Sequence, residues 1–175
     1  MKRINIHGGP GVGKTTIAHK LFSDLKILNY DIEFVHEYVK LWARQNKRPQ
    51  KHDQIFLFAM QQKFEHDFAE AGVSIIVSEC PLLTSVSYAI NTAVYEPLIK
   101  LAKDFEKSHP SINILLQRKK SADYVQAGRY ETPDEATGRD IAVGHILDVH
   151  NTQFLLTNYD KYDKILSYVT EELEK

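Results

Sequence analysis

Cysteine is almost missing from this chain: Cys80 is the only one. A lone thiol excludes an intramolecular disulfide and leaves no thiolate set for a cysteine-rich zinc site. Net charge is nearly missing as well, because 22 Lys and Arg face 23 Asp and Glu for a formal charge of -1. That balance disfavours a cationic coat for nucleic acid, although it allows a local basic patch. No apolar run approaches the roughly 20 residues of a membrane span. The opening Met1-Lys2-Arg3-Ile4-Asn5 leads into strand-like sequence rather than a signal-peptide apolar region. Repeats, low-complexity tracts and linkers are also lacking. What remains, 175 residues at 43% apolar and 26% charged, is the composition of an ordinary globular chain. A chain of this size buries about 70% of its unfolded surface without staples. The expectation is one domain over 1–175, soluble, cytoplasmic and without a membrane partner.

The pattern along the chain alternates strand and helix. Arg3 to His7 reads as a strand, followed by a Gly-rich segment and a helix from Lys14 with Ile17, Ala18, Leu21, Phe22 and Leu25 at helical spacing. Asp31 to Val35 reads as a strand and Tyr38 to Gln45 as a helix, which Asn46-Lys47-Arg48-Pro49 breaks. His52 to Ala71 reads as an amphipathic helix with Phe56, Met60, Phe64 and Phe68 on its apolar stripe and Gly72 as its stop. Val73 to Ser78 is a continuous apolar run, as in a buried parallel strand. Helices over Leu83 to Ala93 and Pro97 to Lys107 precede a strand at Ile112 to Leu116. Arg118 to Thr132 reads as a loop, and Pro133-Asp134-Glu135 opens a helix that the pattern carries to about Tyr159. Asp163 to Tyr168 reads as the last strand. Strands separated by helices predict a three-layer α/β domain with a parallel sheet and helices on both faces.

Gly8-Gly9-Pro10-Gly11-Val12-Gly13-Lys14-Thr15 matches G-x-x-x-x-G-K-[ST], after a strand and before a helix. Glycines let successive backbone N–H groups point at phosphate oxygens, and the helix start adds its positive end. Lys14 reaches β- and γ-phosphates, and the Thr15 hydroxyl ligates Mg²⁺, with Thr16 beside it. The predicted ligand is ATP with Mg²⁺. A switch GTPase is not indicated, because the N/T-K-x-D base-reading motif is missing, while preference for ATP over other triphosphates stays open.

Two acids follow strands. Glu37, in Val35-His36-Glu37-Tyr38, falls where an acceptor faces the γ-phosphate and can accept a hydroxyl proton. Glu79 ends the apolar run Ile75-Ile76-Val77-Ser78, a usual position for a carboxylate that holds Mg²⁺. The eight histidines are scattered without metal-ligand spacing, so zinc is not expected. Cys80 reads as a small buried residue rather than a nucleophile. The Phe run reads as core, part of which, with Trp42 and Tyr38, can stack on a base. Residues 44–52 carry four Lys or Arg and no acid except beyond their end, and Arg118-Lys119-Lys120 forms a second basic cluster. Either suits a solvated face or a phosphate-bearing acceptor.

Gly8–Thr15, Glu37-Tyr38-Val39-Lys40, Gln61-Gln62, Ser78-Glu79-Cys80-Pro81-Leu82, and Tyr124 with Gly128-Arg129-Tyr130 together resemble the AAA-type P-loop kinase family common in phages. That family is similar to nicotinamide-riboside kinase domains and, more distantly, to deoxynucleoside and nucleoside monophosphate kinases. The resemblance implies a five-stranded parallel sheet in the order 2-3-1-4-5 with a lid, here about 118–135. It implies a base-like acid at Glu37, a metal-holding acid at Glu79, where relatives often carry Asp, and lid arginines at Arg118 and Arg129 that close on the phosphates. Cys80 stands where deoxynucleoside kinases carry Arg. The expected activity is Mg-ATP-dependent transfer of a γ-phosphoryl to a hydroxyl of a nucleoside- or nucleotide-type acceptor, a hydroxymethylated base in DNA included. A nucleoside monophosphate kinase and a P-loop ATPase or nucleotide sensor are the alternatives. The location is then the cytoplasm, that of the host cell for a phage-encoded chain, and a homodimer stays open.

Overall fold

The computed structural model describes residues 1–119, 124–125 and 129–175. Five parallel strands form one sheet: β1 (Lys2–His7), β2 (Ile32–Val35), β3 (Ile75–Ser78), β4 (Ser111–Leu116) and β5 (Leu155–Thr157), in the order β2-β3-β1-β4-β5. The helices are α1 (Lys14–Ile27), α2 (Lys40–Arg44), α3 (Asp53–Glu70), α4 (Leu82–Val86), α5 (Tyr95–Ser108), α6 (Pro133–Val149) and α7 (Tyr162–Leu173), with a 3-10 turn at Ser87–Ala89. The fold is the expected three-layer P-loop architecture with helices on both faces.

Strand alternation divides the core. Ile4 and Ile6 of β1 face α1 and α7, meeting Ile17, Leu21, Leu25, Ile165 and Val169. Arg3, Asn5 and His7 point to the opposite face and are fully buried. There Phe58, Leu82, Leu83, Leu98, Phe105 and Val143 form the second apolar cluster. The polar column between them is paired. Arg3 donates to Glu65 at 3.1 Å, Glu106 at 2.8 Å and the His109 carbonyl at 3.0 Å. Asn5 donates to Asn113 Oδ1 at 3.0 Å, and His7 Nε2 lies 3.1 Å from the same oxygen. That oxygen only accepts, so Nε2 carries the His7 proton and Nδ1 accepts from the Thr84 hydroxyl at 2.9 Å. Burial pushes His7 down to about 4, so the ring is neutral where it enters the glycine loop. Removing one partner of a buried ion pair strands the other. Arg3→Ala is therefore expected to lower stability by about 3–5 kcal/mol, read from urea denaturation.

Four expectations about local structure need correction. The helix carried to Tyr159 ends at Val149; Asn151 turns the chain at φ 52°, and β5 follows at Leu155–Thr157. The segment expected as the last strand, 163–168, lies in α7, where Tyr162, Ile165 and Val169 share one buried helical face. A three-residue edge strand carries too few alternations to register as a strand in sequence. The helix expected at 83–93 gives way to the 3-10 turn, then Asn91 at φ 62°. On α3 the buried stripe is Gln54, Leu57, Phe58, Gln61 and Glu65, while Phe56 is exposed. The core-facing side of α3 mixes Leu57 and Phe58 with polar residues because Glu65 meets Arg3 and Gln61 meets the chain after β2. The segment expected as a lid, 118–135, runs into α6 at Pro133. Lys120–Asp123 and Gln126–Gly128 lie outside the described residues. Thr132 caps α6 with a reciprocal Glu135 capping box.

Candidate functional site

The glycine loop joins the C-terminal end of β1 to α1. Gly13 holds φ 98° at the helix N-cap, and a Cβ there would stand 2.8 Å from Tyr159 Cβ, so glycine alone fits. The first turn of α1 has no side-chain cap and no acid, which leaves its N–H groups for an anion. Gly9 N–H donates to Asp140 Oδ1 at 2.9 Å, and a Cβ on Gly9 would strike that oxygen.

A cavity of about 830 Å³ opens beside the loop. Pro10, Gly11, Gly13, Lys14, Thr15 and Thr16 line it, whereas Val12 is buried in the core and Gly8 and Gly9 lie behind the wall. Lys14 Nζ donates to the Gly9 carbonyl at 2.8 Å.

The parallel register pairs Val35 with Ser78, so the acids that follow β2 and β3 leave the sheet side by side. Glu79 Oε1 accepts the Glu37 backbone N–H at 3.1 Å. Glu79 Oε2 accepts from Lys40 Nζ, which also donates to Thr15 Oγ1 at 2.5 Å and lies 3.9 Å from Glu37 Oε2. Burial works against the Glu79 charge, but the Lys40 ammonium, the Thr15 hydroxyl and the Glu37 N–H outweigh it and hold the carboxyl below its ordinary value. Glu37 shifts the other way. Burial raises it against the opposing Lys14 and Lys40, with Glu79 and Glu131 adding to the rise. Two neighbouring carboxyls are thus driven apart, Glu79 toward its ionised form and Glu37 toward its neutral form. Thr15 and Glu79 present hard oxygen donors that already hold a cationic group, which is the donor chemistry Mg²⁺ takes.

The two arginines expected to close on the phosphates part company. Arg129 lines the cavity and stands 5.6 Å over the Tyr124 ring. Arg118 does not line it: the guanidinium binds Asp140 at 2.7 and 3.2 Å and the Pro10 carbonyl at 2.5 Å, gripping the loop from outside. Across the mouth, Tyr130 donates to the Lys47 carbonyl at 2.7 Å and Arg48 pairs with Glu135 at 3.3 Å. Among the aromatic candidates Tyr38 lines the cavity, while Trp42 is buried and stacked with Phe56. Burial pushes the Cys80 thiol well up, as does the nearby Glu37, which disfavours the thiolate.

Sequence reasoning assigned no role to Lys40, Gln61, Tyr88, Arg139 or Asp140. Gln61 is buried on the cavity wall with its Nε2 lacking a hydrogen-bond partner, while its Oε1 accepts the Tyr38 N–H at 3.3 Å. Arg139 lies 4.3 Å over the Tyr88 ring and donates to the Ser87 carbonyl. Gln61 was among the residues that carry the family resemblance, as part of Gln61-Gln62, but that resemblance gave it no role.

No curated protein sequence matches the chain. Among solved structures, NadR in complex with NAD and AMP-PNP superposes with a TM-score of 0.69 at 14% identity, covering 97% of this chain and 49% of that one. NadR in complex with NR gives 0.68 at 14%, over 97% and 50%. APE1195 gives 0.56 at 15%, over 99% and 94%. The chain thus spans about half the length of the NadR structures. At these identities the likeness carries the fold alone, and that fold is the P-loop architecture built above. No helix among the described residues is long and apolar enough to cross a membrane. The family description "AAA domain" matches residues 3–163, nearly the whole chain, and includes the glycine loop, both acids and the two arginines; the chain belongs to the AAA domain family.

Proposed function

We propose that the chain is a Mg-ATP-dependent phosphotransferase that moves a γ-phosphoryl to a hydroxyl of a nucleoside- or nucleotide-type acceptor, acting as one domain with 118–135 as its lid. The observation that carries this reading is the acid pair beside the phosphate loop, with Glu37 pushed toward its neutral form and Glu79 held ionised against Thr15. The loop amides, the α1 start and Lys14 bind the phosphates. Thr15 and Glu79 would hold Mg²⁺, which when bound would neutralise phosphate charge. Glu37 takes the acceptor hydroxyl proton as that oxygen bonds to the γ-phosphorus and the bond to the ADP oxygen breaks. Arg129 stabilises charge on the moving group from the cavity wall, and Arg118 holds the loop through Pro10 until lid closure brings it in. NadR, about half of which shares this fold, was crystallised with NAD and AMP-PNP and with NR, which supports a nucleotide-handling role for a chain of this fold.

The cavity favours an acceptor that itself bears phosphate. Seven cationic side chains and three carboxylates line it, and four of the cations, Lys14, Arg44, Lys51 and Arg139, form no ion pair with an acid among the described residues. A nucleoside monophosphate and a modified base within DNA both meet that condition. Incubation with γ-labelled ATP and a panel of nucleosides, nucleoside monophosphates and hydroxymethyluracil-containing DNA tests the reading. Label is expected in one acceptor class. Steady phosphate release with label in none of them would replace it with an ATPase.

A further inference from the structure

Lys40 stands where a divalent cation held by Thr15 and Glu79 would have to stand. Its ammonium is hydrogen-bonded to Thr15 Oγ1 at 2.5 Å and to Glu79 Oε2, with Glu37 Oε2 next at 3.9 Å. The Glu79 side chain is 1% exposed, and Lys40 is the one Lys or Arg paired with it among the described residues. The other basic group near it, His36, is 3.8 Å away and 71% exposed. A buried carboxylate without a counter-charge is strongly destabilising, so this position needs a cation at all times.

The geometry points to Lys40 as a tethered cation that competes with the divalent metal for one position, holds it whenever metal-nucleotide is not bound, and passes to the nucleotide phosphates on exchange. The inference rests on reading Thr15 and Glu79 as metal ligands. A metal about 2.1 Å from these oxygens overlaps an ammonium at hydrogen-bond distance from both, so the two cations exclude each other. Tethering gives Lys40 a high effective concentration, and metal alone competes poorly. The side chain is 42% exposed and lines the cavity, so its four-carbon stem can swing the ammonium off Glu79 without repacking the core. Phosphate oxygens then supply the new anionic partner. Metal arriving with nucleotide gains at both ends, and metal arriving alone does not.

Lys40→Met separates this from a structural role because two affinities move in opposite directions. Mn²⁺ binding without nucleotide, followed by electron paramagnetic resonance, is expected to tighten by about tenfold or more, equivalent to roughly 1.4 kcal/mol. ADP binding in EDTA, followed by calorimetry, is expected to weaken by about threefold or more, since without metal no cation then offsets the Glu79 charge beside the phosphates. Lys40→Arg, which keeps a tethered cation, is expected to bind Mn²⁺ as weakly as the wild type. The gain is expected to vanish in K40M/E79Q. Mn²⁺ binding that is unchanged or weaker in a folded K40M overturns the proposal, and so does a gain that survives E79Q. Should K40M fail to fold by circular dichroism, side-chain ammonium NMR of the wild type decides: the Lys40 signal is expected to shift on adding Mg-ADP, and an unshifted signal overturns exchange. No acceptor enters these measurements, so failure of the kinase reading appears separately, as absent label transfer.

Discussion

Glu37→Gln is expected to lower kcat for phosphoryl transfer by about 10²- to 10⁴-fold, the range for loss of a general base, while ADP affinity stays near wild type. The carboxyl is proposed to act on the acceptor hydroxyl, not on the nucleotide, so the loss belongs in kcat and not in nucleotide binding. The pH dependence carries an independent sign. Burial raises Glu37 above its ordinary 4.5, so the basic form is lost as pH falls through a displaced value. The acid limb of the kcat/KM profile should stand above 4.5 in the wild type and disappear in E37Q. Stability should run the other way. A carboxyl raised by folding stabilises the fold only while protonated, and that contribution is lost as pH rises through its folded value. At neutral pH E37Q should therefore match or exceed the wild type in urea, which separates a catalytic loss from an unfolded variant. Wild-type turnover by E37Q would remove Glu37 as the base.

The second large effect is expected at Lys14. Lys14→Met should reduce kcat by about 10²- to 10³-fold, comparable to removing one preorganised charge donor from a transition state, and should weaken nucleotide binding as well. That double loss distinguishes it from E37Q. The Lys14 ammonium rests on the Gly9 carbonyl at 2.8 Å, a contact inside the loop that forms without the core, so the variant should melt close to wild type. Stopped-flow binding of a fluorescent ADP analogue and single-turnover transfer measure the two losses separately. Retention of both within twofold would mean that the loop does not hold the transferred phosphates.

The phosphate loop was legible in sequence because its chemistry is local. Gly8 to Thr15 are contiguous, and the turn, the helix start and the two side chains follow from neighbouring residues. Glu37 and Glu79 were legible one step less directly. Each follows an apolar strand, and parallel strands end on the same edge, so both acids fall on the loop side of the sheet. The hydrophobic pattern failed at Leu155–Thr157, where three residues at a sheet edge carry no periodicity. It failed again on α3, where Phe56, Met60, Phe64 and Phe68 repeat at helical spacing but the buried stripe is the one bearing Gln61 and Glu65. A hydrophobic count favours the aromatic face. Burial followed the mixed one because Arg3 and the chain after β2 need its carboxylate and amide.

Sequence alone thus determined the fold class, the phosphate loop and the acids beside it, through short-range periodicity and spacing. Tertiary structure decided which groups share a charge. The pairing of Val35 with Ser78 brings Glu37 and Glu79 into one hydrogen bond, and only then does Lys40, 39 residues before Glu79, have a place between that acid and Thr15. The same packing sends Arg129 to the cavity and holds Arg118 on Asp140 behind it. Spacing along a chain cannot encode those partners, because a salt bridge or a shared cation depends on distances of a few ångströms set by strand register and helix docking.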